Sequence, residues 1–446
     1  MAGNAADIGR TGIGRSEWRT IILSSLGGAL EFYDFVIYST FAQYIGDAFF
    51  KTRDPLTSLM LAFTVFAVGY VARPVGGVVF SHFGDKYGRR RVFIFSIFMM
   101  TFATVAMGLL PGYAKWGAAA TVAMVGLRLV QGFSLGGELP GAITYVVETA
   151  PGQAGFSSGF IFFCVNTGVA IASLIGYLVE RLLSPGQVAA WGWRIGFLFG
   201  GLLGLVSFYM RLSLTETAEF KKLKHSASKQ PFLELIRTAP APTAFALAAM
   251  VATAGFNGLL FAMPAFLPRV MHYSALAAIE AQNVGLLVLS LGLLTCAWLS
   301  DRMPRRWLLG SGALLLGVLA FPFFGAAASR SVGLIPLFVG AGLAASLCNG
   351  PMAGIVADLF PTRIRFSGIA VSFNLAFSIF SGTAPVIATL LVVATHSPTG
   401  PAYFMAFCGL VTFVAMLFIK RHEGRILELG PVADDPGASA TSFPVQ

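Results

Sequence analysis

Five charged residues lie inside long apolar runs: Glu31, Asp34, Arg73, Arg128 and Glu138. A charge near the centre of a bilayer costs about 3 kcal/mol or more unless it is paired or hydrated, so each is a candidate for proton or anion chemistry. Asp34 lies about 21 Å along the first run, and Arg128 lies deep in the fourth. An acid titrating under a nearby arginine is a switch: paired, both stay charged, and protonation frees the guanidinium for an anionic substrate. A purely structural salt bridge is the competing reading. Glu31, three residues before Asp34 on the same helix face, could carry the proton instead or hold the arginine. Arg73 lies about 18 Å into the second run. A guanidinium grips a carboxylate through two parallel hydrogen bonds, which suits an organic acid, although Glu31 or Glu138 could equally occupy it. Glu138 follows Gly136-Gly137 and suits gating by pairing across the bundle.

All five charges fall in the first half, and the second half has none in the middle of a run. Proton and substrate-charge chemistry are therefore expected in the first half, with shape recognition in the second. Neutral polar residues within runs could complete a pocket: Asn166 and Thr167, Asn257, Asn349 and Asn374, with Tyr33 beside Asp34. Helix–helix hydrogen bonding is their competing use. Arg194, between Trp193 and Ile195, reads as an interfacial anchor. One short pattern occurs twice, half a chain apart: Gly84-Asp85-Lys86-Tyr87-Gly88-Arg89-Arg90-Arg91 and Ser300-Asp301-Arg302-Met303-Pro304-Arg305-Arg306. Charges in such turns can pair with an opposing helix end in one state and separate in another, so Gly84, Asp85, Arg89, Arg90, Asp301 and Arg305 are gate candidates. Anchoring to anionic lipid is their lesser reading.

The elements that must hold these residues are membrane helices. The chain is 56% hydrophobic and 11% charged, against about a quarter charged in soluble domains. Apolar runs fall at 20–45, 57–82, 92–110, 117–146, 156–179, 192–212, 241–267, 283–300, 307–328, 332–357, 366–394 and 401–419. Each suffices to cross about 30 Å of hydrocarbon as a helix, some of them tilted, and none alternates as a barrel strand would. Twelve spans put both tails on one side. The N-tail, the C-tail and the turns on that side carry 21 Lys and Arg, whereas the opposite turns carry only Lys51, Arg53, Lys115, Arg181, Arg269 and Arg330. Both termini are therefore expected to be cytosolic. The organisation is a cytosolic N-tail 1–19, a six-helix bundle 20–212, a charged linker 213–240, a second bundle 241–420 and a C-tail 421–446. Two bundles with a site between them is the arrangement that alternating access requires.

The net charge of +10 is spread over short turns, with no polybasic arm or aromatic-basic motif, so nucleic acid is not an expected partner. Cys164, Cys296, Cys348 and Cys408 are scattered through apolar runs and read as small buried thiols. The five histidines sit at or beyond run ends, so no metal site is indicated, and no nucleophile–base constellation suggests an enzyme.

The stretches "GGALEFYDFVIY", "FAVGYVARPVGGVVFSHFGDKYGRR" and "RLVQGFSLGGELPGAITYVVETAP" are followed by "WGWRIGF", "DLFPTRIRFSG" and "SFNLAFSIFSGTAPV". In this order they resemble the metabolite:proton symporters of the major facilitator superfamily, nearly end to end. The resemblance implies an all-α inner-membrane protein of twelve helices in two six-helix bundles. It also implies proton-driven uptake of citrate and other di- or tricarboxylates, oxoglutarate, shikimate, or proline and betaine. No cofactor is implied beyond the proton as coupling ion. An acid in span one facing an arginine in span four recurs in proton-coupled members. The chain departs at Gln153-Ala154-Gly155, where an arginine often precedes the glycine, and this touches the charge network around Glu148. Pro304 stands for a usual glycine, and Gly196 for a usual proline. No heptads follow Arg425, which lowers the osmolyte reading. The expectation is a monomeric importer of a small organic anion, with citrate-like carboxylates first. A zwitterion or hydroxy acid such as proline, betaine or shikimate is the alternative, with proton-driven export behind it.

Overall fold

In the computed structural model the described residues are 15–52, 54–87, 89–149, 153–212, 235, 237–360 and 362–419. Twelve helical spans account for nearly all of them. In the first half these are α1 (Arg15–Thr40, extended by a short Ala42–Phe49 helix), α2 (Pro55–Tyr87), α3 (Arg89–Leu109), α4 (Ala118–Ser134 then Glu138–Thr149), α5 (Ala154–Leu182) and α6 (Trp193–Leu212). In the second half they are α7 (Pro240–Met271), α8 (Ala275–Ser300), α9 (Arg305–Ser329), α10 (Leu334–Asp358), α11 (Thr362–Ala376 with Ala384–Thr395) and α12 (Pro401–Phe418). Among the described residues, ten helices are long and apolar enough to cross a membrane, and α3 adds the shorter apolar stretch Ile94–Leu109.

Polar residues at the turns mark where several spans begin. Asp54 caps α2 by accepting from the Thr57 hydroxyl and from the backbone N–H groups of Thr57 (2.9 Å) and Leu56 (3.3 Å), and these bonds hold its carboxyl below the usual range. Ser184 and Gln187 form a reciprocal capping box at the turn leading into α6. Ser274 caps α8 by accepting from Ala277 N at 3.1 Å.

Besides the step at Phe41 in the first run, two of the apolar runs are not uniform helices. The fourth span breaks between Ser134 and Glu138, and the eleventh widens into a π-turn at Phe377–Ser381. The first break lies where two helices approach closely. A Cβ on Gly136 would overlap the Arg73 carbonyl oxygen, and one on Gly132 would overlap the Gly69 carbonyl oxygen. Helices α2 and α4 thus meet backbone to backbone, which only glycine permits.

Within the first half α1 packs on α5, α2 on α4 and α3 on α6; within the second, α8 packs on α10, α9 on α12 and α7 on α11. The halves meet where α5 lies against α8 and α10, α1 against α7, and α11 against α2 and the second segment of α4. Most of the 213–240 linker, the tails 1–14 and 420–446, and the side chains of Glu31, Gly84, Asp85, Arg89, Arg90, Glu138 and Glu148 lie outside the description. Of those seven residues only the helical placement is given.

Candidate functional site

Asp34 and Arg128, both essentially excluded from solvent, face the interior of the first half. They do not form the direct ion pair expected from the sequence. Asp34 Oδ2 accepts from Thr104 Oγ1 of α3 at 3.1 Å, and Oδ1 has no hydrogen-bond partner. Arg128 Nη1 donates to Gln131 Oε1, while Nε and Nη2 have none. Between the two stands Gln131, whose Nε2 donates to Thr104 Oγ1 at 2.9 Å and to the Asp34 backbone carbonyl at 3.3 Å. Gln131 and Thr104 were not singled out in the sequence. For Gln131 the legible signal was its position three residues after Arg128, on one helix face.

The Arg128 guanidinium lies against the rings of Phe35 and Tyr38, each 4.3 Å away, and of Phe66 at 5.3 Å. Arg73 is also buried, between Tyr70 (5.4 Å), Phe32 (5.7 Å) and Phe373 of the second half (5.8 Å), and its Nε has no partner. Arg73 therefore sits where the halves meet, with Arg128 deeper in the first. Tyr33 turns away from that junction. Its hydroxyl donates to Gly196 O of α6 at 2.8 Å, and its ring packs on Phe199. Arg194 stacks on Trp193 and donates to the carbonyls of Gly108 and Leu110, capping the end of α3.

The amide candidates are buried and fall into separate roles. Asn374 Nδ2 donates across the halves to Gly136 O at 2.8 Å, leaving Oδ1 without a partner. Asn257 Nδ2 reaches Asn349 Oδ1 at 3.5 Å within the second half. The Nδ2 of Asn166 has no partner. Polar groups held in low dielectric without partners are costly and are common where a ligand binds. Tyr70, another residue not foreseen, joins the halves twice: its carbonyl accepts from Ser378 Oγ at 2.6 Å, and its hydroxyl from Ser381 Oγ at 3.2 Å.

Among the described residues, polar contacts join the halves at both ends of the junction. At the cytosolic end Asp301 accepts from the N–H groups of Gly155 and Phe156, each at 2.8 Å, and so caps α5 of the opposite half. Arg305 holds that carboxylate at 2.8 Å and also reaches Asp358 at 2.6 Å. At the outer end Arg269 pairs with Asp47, Ser39 Oγ donates to Phe261 O at 2.9 Å, and Gln282 Nε2 donates to Leu260 O at 3.0 Å while accepting from Ser173. Among the described residues, the buried charges thus lie between polar contacts that join the halves at both ends.

The family model described as Major Facilitator Superfamily matches residues 24–373 and 281–441. A putative proline/betaine transporter of Staphylococcus aureus (strain COL) is 32% identical over 90% of this chain and 88% of its own length. The proline/betaine transporter of Salmonella typhimurium is 32% identical over 94% and 86%. A glycine betaine/proline/ectoine/pipecolic acid transporter of Dickeya dadantii is 31% identical over the same shares. Among solved structures, a D-xylose-proton symporter superposes with a TM-score of 0.72 at 18% identity, covering 91% of this chain and 97% of that one. A partially occluded inward-open structure of the xylose transporter from E. coli gives 0.70 at 17% identity, over 92% and 98%. At such identities the likeness is one of fold.

Proposed function

Because the chain belongs to the major facilitator superfamily, we propose that it imports a small zwitterion of the proline or betaine class together with a proton, by alternating access. It is a transporter of the inner membrane and not an enzyme. The observation that carries the substrate reading is the surroundings of the two arginines. Arg128 leaves Nε and Nη2 unpartnered among Phe35, Tyr38 and Phe66, and Arg73 leaves Nε unpartnered among Phe32, Tyr70 and Phe373. A carboxylate offers a guanidinium two parallel acceptors. A quaternary or secondary ammonium on the same small molecule finds its favoured environment over aromatic faces. Citrate, the first expectation from the sequence, would use the arginines but has no cation for the rings, and the relatives favour the zwitterion over it.

In this reading Asp34 carries the coupling proton, Arg128 and Arg73 meet the substrate carboxylate, and Asn166, Asn257 and Asn374 line the path. Substrate and proton together favour the change between outward- and inward-facing states, with the Asp301 cap as the cytosolic closure. The test is uptake of labelled betaine into proteoliposomes under an imposed inward proton gradient, with proline, citrate and shikimate as competitors. Betaine uptake abolished by a protonophore and by Asp34→Asn, and competed by proline but not citrate, is the expected result. Citrate as the strongest competitor would overturn the zwitterion assignment, and gradient-driven uptake that survives Asp34→Asn would remove Asp34 from coupling.

A further inference from the structure

The hydrogen bonds between Arg128 and Asp34 have a direction that chemistry fixes. Arginine only donates, so the Gln131 atom facing Arg128 must be the carbonyl Oε1. The Asp34 backbone carbonyl only accepts, so the atom facing it at 3.3 Å must be Nε2. The same Nε2 donates to Thr104 Oγ1 at 2.9 Å, which leaves the threonine proton to point at Asp34 Oδ2, 3.1 Å away. Every donor therefore points from the guanidinium toward the carboxylate. All four side chains are buried, where such chains polarise one another.

We propose that Gln131 and Thr104 form a one-way donor chain through which the occupancy of the Arg128 guanidinium sets whether Asp34 holds a proton. This rests on the coupling role given to Asp34 above and deepens it. With Arg128 held by Gln131, the chain presents a donor to Asp34 and favours the carboxylate. When an anionic group takes Arg128, Gln131 Oε1 loses its donor and its amide is free to turn. The Thr104 hydroxyl then donates to Oε1 instead of to Asp34, which loses its side-chain donor and takes up a proton. Linkage makes the effect reciprocal: a protonated Asp34 favours the release of Arg128 to the anion. No bond other than hydrogen bonds and the Asp34 O–H changes. Among the described residues, the groups at Asp34 are Tyr33 on its own helix, Gln131 on α4, Thr104 on α3 and the Gly200 backbone of α6, and the charge that these hydrogen bonds link to it is that of Arg128. Gln131 and Thr104 are positioning residues: they act on the proton through Asp34 and on the substrate through Arg128.

The test titrates the protonated-carboxyl infrared band of the purified full chain, assigned by its loss in Asp34→Asn. In ligand-free protein Thr104→Val should raise the midpoint by about one pH unit, a tenfold change in proton affinity, and Gln131→Leu, which removes only the polarisation behind the Thr104 hydroxyl, should raise it by less. Thr104→Ser, which keeps the hydroxyl, should restore the original midpoint. The double variant should shift no further than the larger single one, as expected of two links in one chain. Adding betaine should raise the midpoint of the unsubstituted protein and leave that of Gln131→Leu unmoved. Unchanged ligand-free midpoints in both single variants, with thermal unfolding confirming intact folds, would overturn the proposal, as would additive shifts. If betaine fails to bind the unsubstituted protein, the zwitterion reading fails, and the ligand-free titrations still decide the donor chain.

Discussion

Replacing Asp301 by alanine should open the cytosolic end of the transporter. Its carboxylate accepts two backbone N–H groups of the opposite half, Gly155 and Phe156, each at 2.8 Å, and its side chain is only 11% exposed. A hydrogen bond to a charged group contributes about 1.5 kcal/mol at the low end, so losing both removes about 3 kcal/mol from the closed state. The helix N-terminus that the carboxylate faces makes this a conservative figure. The Arg305–Asp358 pair adds little, because that carboxylate is 57% exposed. At about 1.4 kcal/mol per decade, the closed-to-open ratio at this end should fall about a hundredfold. Spin labels on cysteines placed at Gln153 and Met303, with the four native cysteines replaced, would report the separation of α5 from the α8–α9 turn. The short-distance population should dominate in the parent and give way to a longer one in Asp301→Ala. Identical distance distributions, in a variant that still folds, would refute the assignment of the cap as a closure.

Other outcomes follow from features of different strength. The outer Arg269–Asp47 pair has a half-exposed carboxylate, so Asp47→Ala should cost about 1 kcal/mol or less and shift outer opening only several-fold. Labels at Lys51 and Glu280 would read that shift, which should vanish near 1 M salt, where the Debye length falls to about 3 Å. Gly132→Ala forces a methyl into the Gly69 carbonyl and should destabilise the first half by about 3 kcal/mol, read as a lower thermal midpoint in detergent. Gly126→Ala on the same helix meets nothing within 4 Å and should leave that midpoint equal or slightly higher.

Most of the fold was legible because the bilayer constrains composition more tightly than water does. The run 332–357 became Leu334–Asp358, and the run 401–419 became Pro401–Phe418. The break in α4 was not legible, since Gly136-Gly137 within an apolar run is equally compatible with a continuous helix. The buried charges were conspicuous because they are rare. Their partners were not, because pairing depends on how each helix is rotated, and a helix apolar on every face carries no periodic signal of that rotation. Hence Asp34 and Arg128 were identified while the Gln131–Thr104 link between them was missed. The surroundings of the arginines were similarly hidden. An arginine suits any carboxylate, and among 41 phenylalanines nothing marks Phe35, Phe66 or Phe373 as the ones beside it.

The π-turn at Phe377–Ser381 presents two serines to opposite ends of one residue, Ser378 to the Tyr70 carbonyl and Ser381 to its hydroxyl. A single tyrosine is thereby fastened at backbone and side-chain tip to the same short segment of the other half. Separation of α2 from α11 has to break both bonds, so the junction should act as a double latch that holds more firmly than either bond alone. In a coupled carrier such a latch would limit slippage, since a loosened junction is where solute could cross without its proton.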